Sequence, residues 1–156
     1  MIVLYHCYGA AHSSVLSAAI HLGLLAEDRI PDIKEIREIP FFDRKKSEEI
    51  GIPFFYGYDK RGNKIYIQGM GGSDKIVIGL LQDIMELYGI PEREVLLVNA
   101  LENVNILVRI GGFLSRRLGL IFPGRVISII GLQLAYPKFL ATVLRVKEYI
   151  AKFCEM

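Results

Sequence analysis

The first 26 residues, Met1 to Ala26, contain no Asp, Glu, Lys or Arg, although 23% of the 156-residue chain is charged. A segment that apolar belongs in a core, in a membrane or in an export signal. An export signal opens with a basic region, and Met1–Leu4 has none. A spanning helix needs about 20 mostly apolar residues, and His6, Gly9, His12, Ser13 and Ser14 interrupt the run. The segment therefore reads as a buried strand, a polar small-residue loop and a buried helix. A second apolar stretch near the C-terminus is cut by Pro123, Arg125, Pro137 and Lys138. The mean hydropathy of +0.35 then reflects a large core. A single domain over 1–156, in the cytoplasm and without membrane attachment, is expected.

Hydrophobic period and punctuation place the remaining elements. Ile2–His6 is the first strand and Ser13–Leu25 a helix whose end is weakened by Gly23. Between Lys34 and Ile39, strand and short helix compete, and Pro40 ends either one. Arg44–Ile50 is polar and reads as a short helix or loop. Pro53–Tyr58 and Asn63–Gln68 are aromatic and β-branched around Asp59-Lys60-Arg61-Gly62, a hairpin pattern. Ser73 is a good N-cap for a helix running to about Tyr88, with Gly89 as its stop. Glu94–Val98 reads as a buried parallel strand. Asn103–Leu118 is helical despite Gly111-Gly112, Arg125–Ile130 is a strand candidate, and Pro137 opens a final helix to Phe153. Strands alternating with helices predict an α/β three-layer sandwich with a mainly parallel sheet and an added β-hairpin, Rossmann-like or P-loop-like.

Charge is uneven. Residues 1–103 carry −4 and residues 104–156 carry +6, with Arg109, Arg116, Arg117 and Arg125 close together in sequence. The basic third is either a solvated face or an attraction for an anionic partner. The net charge of +2 does not call for a specific nucleic-acid partner. Cys7 and Cys154 lie near opposite ends, which is neither a disulfide framework nor a zinc pattern.

The richest segment is Tyr5-His6-Cys7-Tyr8-Gly9-Ala10-Ala11-His12-Ser13-Ser14, between the first strand and first helix. A helix start offers unpaired N–H groups and the positive end of the helix dipole. Gly9, Ala10 and Ala11 let a ligand approach the backbone closely, and Ser13 and Ser14 add hydroxyls, so these five form the expected anion-binding set. A thiol held there is activated as a nucleophile, and His12 is placed for acid–base work. Cys7 and His12 are thus the expected catalytic pair. The competing interpretation is an inert buried Cys7 and an N-capping Ser13. His6 and His21 read as structural. A second strand-to-helix loop, Gly69 to Lys75, repeats the pattern with Gly69, Gly71, Gly72 and Ser73 as candidates and Lys75 as a counter-ion. A third polar stretch, Asn99 to Asn105, follows the Glu94–Val98 strand. With parallel strands all three loops share one sheet edge, where ligands of open α/β sheets gather. No metal or cofactor is expected.

Three known loops are partly similar. The cysteine phosphatase loop has His-Cys, five residues, then Arg and Ser/Thr. Here His6-Cys7 and five residues are followed by Ser13-Ser14, so the Arg that grips phosphate is missing. The loop also resembles that of phosphotransferase-system IIB proteins, where a Cys after the first strand carries a phosphoryl group. His6 to Ser13 has the length of a nucleotide P-loop but lacks its glycines and Lys. The Tyr5–Ser14 motif, followed by Ala18-Ala19-Ile20-His21-Leu22-Gly23, resembles an uncharacterised bacterial family, domain of unknown function 3189. The family pattern has a second Gly where this chain has Ala10. The resemblance implies a sporulation-associated bacterial lineage and no known activity. The expected ligand is phosphate or another anionic small molecule, or a nucleotide, with thiolate-based phosphoryl chemistry at Cys7. The alternative is a non-catalytic regulatory or protein-interaction module, with homo-oligomers as a further expectation.

Overall fold

A computed structural model describes residues 1–43, 49–116 and 118–154. One sheet organises them. Its strands are β1 (Ile2–Cys7), β2 (Pro53–Tyr58), β3 (Lys64–Gly69) and β4 (Val95–Asn99), in the order β2-β3-β1-β4. β1 runs parallel to β3 and β4, with Tyr5 opposite Ile67 on one side and Val98 on the other. β2 pairs antiparallel with β3 and carries an irregularity between Phe55 and Gly57. The protein is therefore a mixed α/β fold with a mostly parallel sheet and one hairpin. Glu94–Val98 is parallel as expected, but β4 stands at the end of the described sheet and only Val98 is buried. The Arg44–Ile50 reading falls mostly on residues outside those described.

The charge-free N-terminus forms the centre. Helix α1 (Ser13–His21) is buried at all nine positions. It packs on β1 and β3 on one side and on the C-terminal helix on the other. Val3, Tyr5, Ile65, Ile67 and Val98 alternate along their strands to face this core. A fully buried Leu or Ile contributes roughly 1.5–3 kcal/mol over an exposed one, so a segment without charges is what this position demands. The helix ends at His21, earlier than expected, because Gly23 takes φ +71°. A buried chain holds that end: Tyr5 Oη lies 2.8 Å from His21 Nδ1, and His21 Nε2 lies 3.4 Å from Asp59 Oδ2. A carboxylate only accepts, so Nε2 carries the proton and Nδ1 accepts from Tyr5.

Lys34–Ile39 resolves as helix. The carboxylate of Asp32 accepts from Glu35 N–H and Glu35 reciprocates, a capping box that starts α2 (Ile33–Glu38). Helix α3 (Asp74–Leu87) has the expected limits, with Gly89 at φ +64° just beyond. Its outer residues Ile76, Leu80 and Leu87 are 74%, 56% and 80% exposed.

The C-terminal third corrects two expectations. Arg125–Ile130 is not a strand and Pro137 does not open a helix. Both lie inside α5 (Ile121–Cys154), which is interrupted at Phe122. The β-branched residues suggested a strand, but tertiary packing decides. Ile129, Leu132, Tyr136, Phe139, Val143, Val146 and Ile150 recur every three or four residues and form one buried stripe. Ile121–Phe153 is long and apolar enough to cross a membrane by length and composition, and 44% of its most apolar window is buried inside the fold. It packs as a core helix on α1 and α4.

Helix α4 (Ile106–Arg116) starts later than the expected Asn103, after the short 3-10 turn Ala100–Asn103. Its glycines have a packing reason. A Cβ on Gly111 would lie 2.4 Å from Ser128 N and 2.6 Å from Gly124 O. One on Gly124 would lie 2.6 Å from Ser115 N, and one on Gly131 2.7 Å from Val108 N. The two helices thus meet backbone against backbone.

Candidate functional site

The parallel pairing places the ends of β1, β3 and β4 at one edge. A cavity of about 900 Å³ opens there. The loop after β1 lines it with Cys7, Tyr8, Gly9, Ala11, His12 and Ser13. Gly71, Gly72 and Asp74 come from the loop after β3 and the start of α3. Leu101 and Val104 follow β4, and α4 contributes Val108, Arg109, Gly112 and Phe113. The three loops expected to converge from sequence do converge.

The β1–α1 loop is the polar wall. Among the described residues, the backbone N–H groups of Gly9, Ala10, Ala11, His12 and Ser13 make no hydrogen bond. No side chain caps α1, so its first amides keep their donors available. Ala10 adopts φ +48°, a left-handed conformation that favours glycine.

Cys7 is 4% exposed and its Sγ lies 3.0 Å from Ser14 Oγ. Ser14 is fully buried beneath the loop and serves the thiol rather than lining the cavity. In the phosphatase-like reading Ser14 occupies the Ser/Thr position, seven residues after the Cys. Ala10 is likewise buried behind the lining residues.

His12 is 8% exposed and lines the cavity. Its Nε2 stands 3.3 Å from Asp43 Oδ1, at ion-pair distance but without hydrogen-bond geometry. Phe42 packs edge-on against the ring, and the absent side chain of Gly112 leaves room for it. Asp43 also accepts from Arg125 Nε at 2.8 Å and Ser115 Oγ at 3.4 Å. Burial alone would raise the Asp43 carboxyl. The His12 and Arg125 partners more than offset that and hold it below its usual range. Neither Asp43 nor its link to His12 was foreseen in the sequence.

The second loop acts mainly as a support. Gly71 N–H donates to Tyr8 O at 2.9 Å and Met70 N–H to Cys7 O at 2.8 Å. A Cβ on Gly69 would meet Gly9 C at 3.0 Å, so the two loops touch through their backbones. Gly71 and Gly72 reach the cavity, whereas Gly69, Ser73 and Lys75 do not line it. The asparagines of the third stretch are engaged internally: Asn99 caps Leu101 N–H, Asn103 meets Thr142, and Asn105 bridges Val108 N–H and Gly131 O. His6 is 1% exposed, and burial lowers its pKa against the opposing pull of Asp74 and Glu102. Of the C-terminal arginines, Arg109 lines the cavity and Arg125 is held by Asp43. Arg117 and the Arg116 side chain lie outside what is described. Among the described residues no group of His, Cys, Asp and Glu could hold a metal ion.

A family model described as Protein of unknown function (DUF3189) matches residues 2–148, and the chain belongs to that family. No curated protein and no solved structure matches the chain.

Proposed function

We propose that this DUF3189 protein binds a phosphate-bearing small molecule or nucleotide in the loop between β1 and α1, and that Cys7 acts there as a nucleophile. One observation carries the reading: Cys7, His12 and Ser13 line one cavity beside five successive backbone N–H groups that make no hydrogen bond among the described residues. Unpartnered amides at a helix start attract an anion. Ser14 Oγ lies 3.0 Å from Sγ, in a hydrogen bond in which either atom can be the donor. Arg109, reaching the cavity from α4, supplies the guanidinium that the loop lacks.

In the transfer step, Sγ attacks phosphorus. The S–P bond forms as the P–O bond to the leaving group breaks, and His12 gives its proton to the leaving oxygen. Water then attacks the phosphocysteine and returns a proton to His12, releasing phosphate and the thiolate. Asp43 orients the imidazole. A reduced thiol fits a cytoplasmic setting. The parallel pairing of β3, β1 and β4 supports a Rossmann-like or P-loop-like arrangement.

The test compares wild type with Cys7→Ser. Wild type should be stabilised thermally by phosphate or tungstate and should hydrolyse phenyl phosphate. Cys7→Ser should keep the stabilisation and lose turnover by ~1,000-fold or more. Equal turnover in both proteins would refute the nucleophile, and no stabilisation by either anion would refute the site.

A second reading, an interaction module that assembles with another copy, draws on the exposed apolar face of α3. A monomer at high concentration in light scattering would count against it.

A further inference from the structure

The cavity is far larger than an inorganic anion requires. A volume of about 900 Å³ lies in the range that holds a whole organic ligand. Its two sides also differ in chemistry. The side formed by the β1–α1 loop presents backbone amides, a thiol and an imidazole. Much of the remaining lining is apolar: Leu101 and Val104 lead into α4, Val108 and Phe113 continue along it, and Ile50 stands beside Gly71 of the second loop. Val108 and Gly112 are four residues apart on α4 and share one side of the helix, and Val104 precedes it in extended backbone. Arg109 and Phe113 form the neighbouring row, so the guanidinium stands beside the apolar wall on the same helix.

Exposure singles out two of these apolar residues. Phe113 is 52% and Ile50 39% exposed. Both line the cavity, so both present apolar surface to whatever enters it. A ligand consisting of phosphate alone would leave this surface wet, and a polyhydroxylated sugar phosphate would bring hydroxyls against Val104, Val108 and Phe113 with few partners. Such unpaired hydroxyls oppose binding.

We propose that the site selects a phosphomonoester with an apolar, ring-sized organic body, its phosphate in the β1–α1 loop and its body against the Leu101–Phe113 wall. This rests on the anion site argued above and adds the class of substrate. Discrimination then comes from α4, whereas the loop recognises the charge alone.

Calorimetry on the intact protein tests this, with Cys7→Ser used in parallel so that turnover does not consume the esters. The probes are inorganic phosphate, phenyl phosphate, 1-naphthyl phosphate, glucose 6-phosphate and uncharged 1-naphthol. The expected order places 1-naphthyl phosphate at least ~10-fold tighter than phosphate, glucose 6-phosphate and 1-naphthol, a figure well below full area burial because ordering costs oppose it. Phe113→Ala, a change at a half-exposed position, should narrow the gap between 1-naphthyl phosphate and phosphate while leaving phosphate itself within ~2-fold. If phosphate and all esters bind equally, the apolar selection is wrong and the anion site stands. Tighter binding of glucose 6-phosphate than of 1-naphthyl phosphate also overturns the selection. If 1-naphthol binds as tightly as its phosphate, or if no probe binds, the anion site itself fails and the inference falls with it.

Discussion

Two glycine-to-alanine substitutions in helices should have opposite signs. Alanine is about 1 kcal/mol better than glycine in a helix interior. Gly79 lies inside α3, and a Cβ there would meet nothing within 4 Å. Gly79→Ala should therefore stabilise the protein by about 1 kcal/mol. At Gly111 the same propensity gain meets a Cβ placed 2.4 Å from Ser128 N and 2.6 Å from Gly124 O. These are backbone atoms, so no rotamer change relieves the clash, and α4 must move off α5 by about 1 Å. Overpacking costs typically 1–3 kcal/mol. With the upper end expected for backbone, the net loss after the propensity gain is about 2 kcal/mol. At about 2–4 °C per kcal/mol for a chain of this size, Gly111→Ala should lower Tm by about 4–8 °C and Gly79→Ala should raise it by about 2–4 °C. Urea unfolding followed by circular dichroism measures both, with unchanged slopes expected. A Gly111→Ala protein as stable as wild type would refute the backbone-to-backbone packing of α4 on α5. Because α4 carries Arg109 and Gly112, anion binding should weaken in Gly111→Ala and not in Gly79→Ala.

Ala10→Gly should stabilise the protein by up to about 1 kcal/mol, since φ +48° strains a residue with a Cβ; a loss of stability in urea unfolding would contradict the loop conformation. Burial lowers the pKa of both His21 and His6 below the ordinary histidine value. The unfolded chain then binds more protons below about pH 6.5, so stability is full above that pH and falls as pH drops through the folded values. His21→Asn should flatten this slope in thermal melts from pH 7 to 5, and an unchanged slope would argue against the buried neutral imidazole.

What the sequence disclosed was local. A charge gap marked β1 and α1, a turn between aromatic runs marked the hairpin, and Gly89 marked the end of α3. The convergence of three loops followed from parallel strands alone. What it concealed depended on distant partners. Asp43 lies in an unremarkable stretch, and its role comes from Arg125, 82 residues away. The segment Arg125–Ile130 has the composition of a strand, and only the continuing stripe through Phe139 and Val146 makes it helix. Gly111 and Gly112 counted against α4, because the chain does not show that Ser128 and His12 occupy the space where side chains would project. Arg109 was one arginine among four until α4 was placed.

Two contacts between β1 and α1 have a joint consequence. Cys7 grips Ser14 at the start of the helix, and Tyr5, two residues back on the same side of the strand, grips His21 at its end. Strand and helix are thus clamped at both ends of their shared length. The intervening turn cannot lengthen or swing without breaking one clamp. On the proposed reading, a ligand entering the turn meets backbone with little entropy left to lose on binding. On that reading, the turn holds the charged group at one fixed place, and the choice among ligands is left to α4.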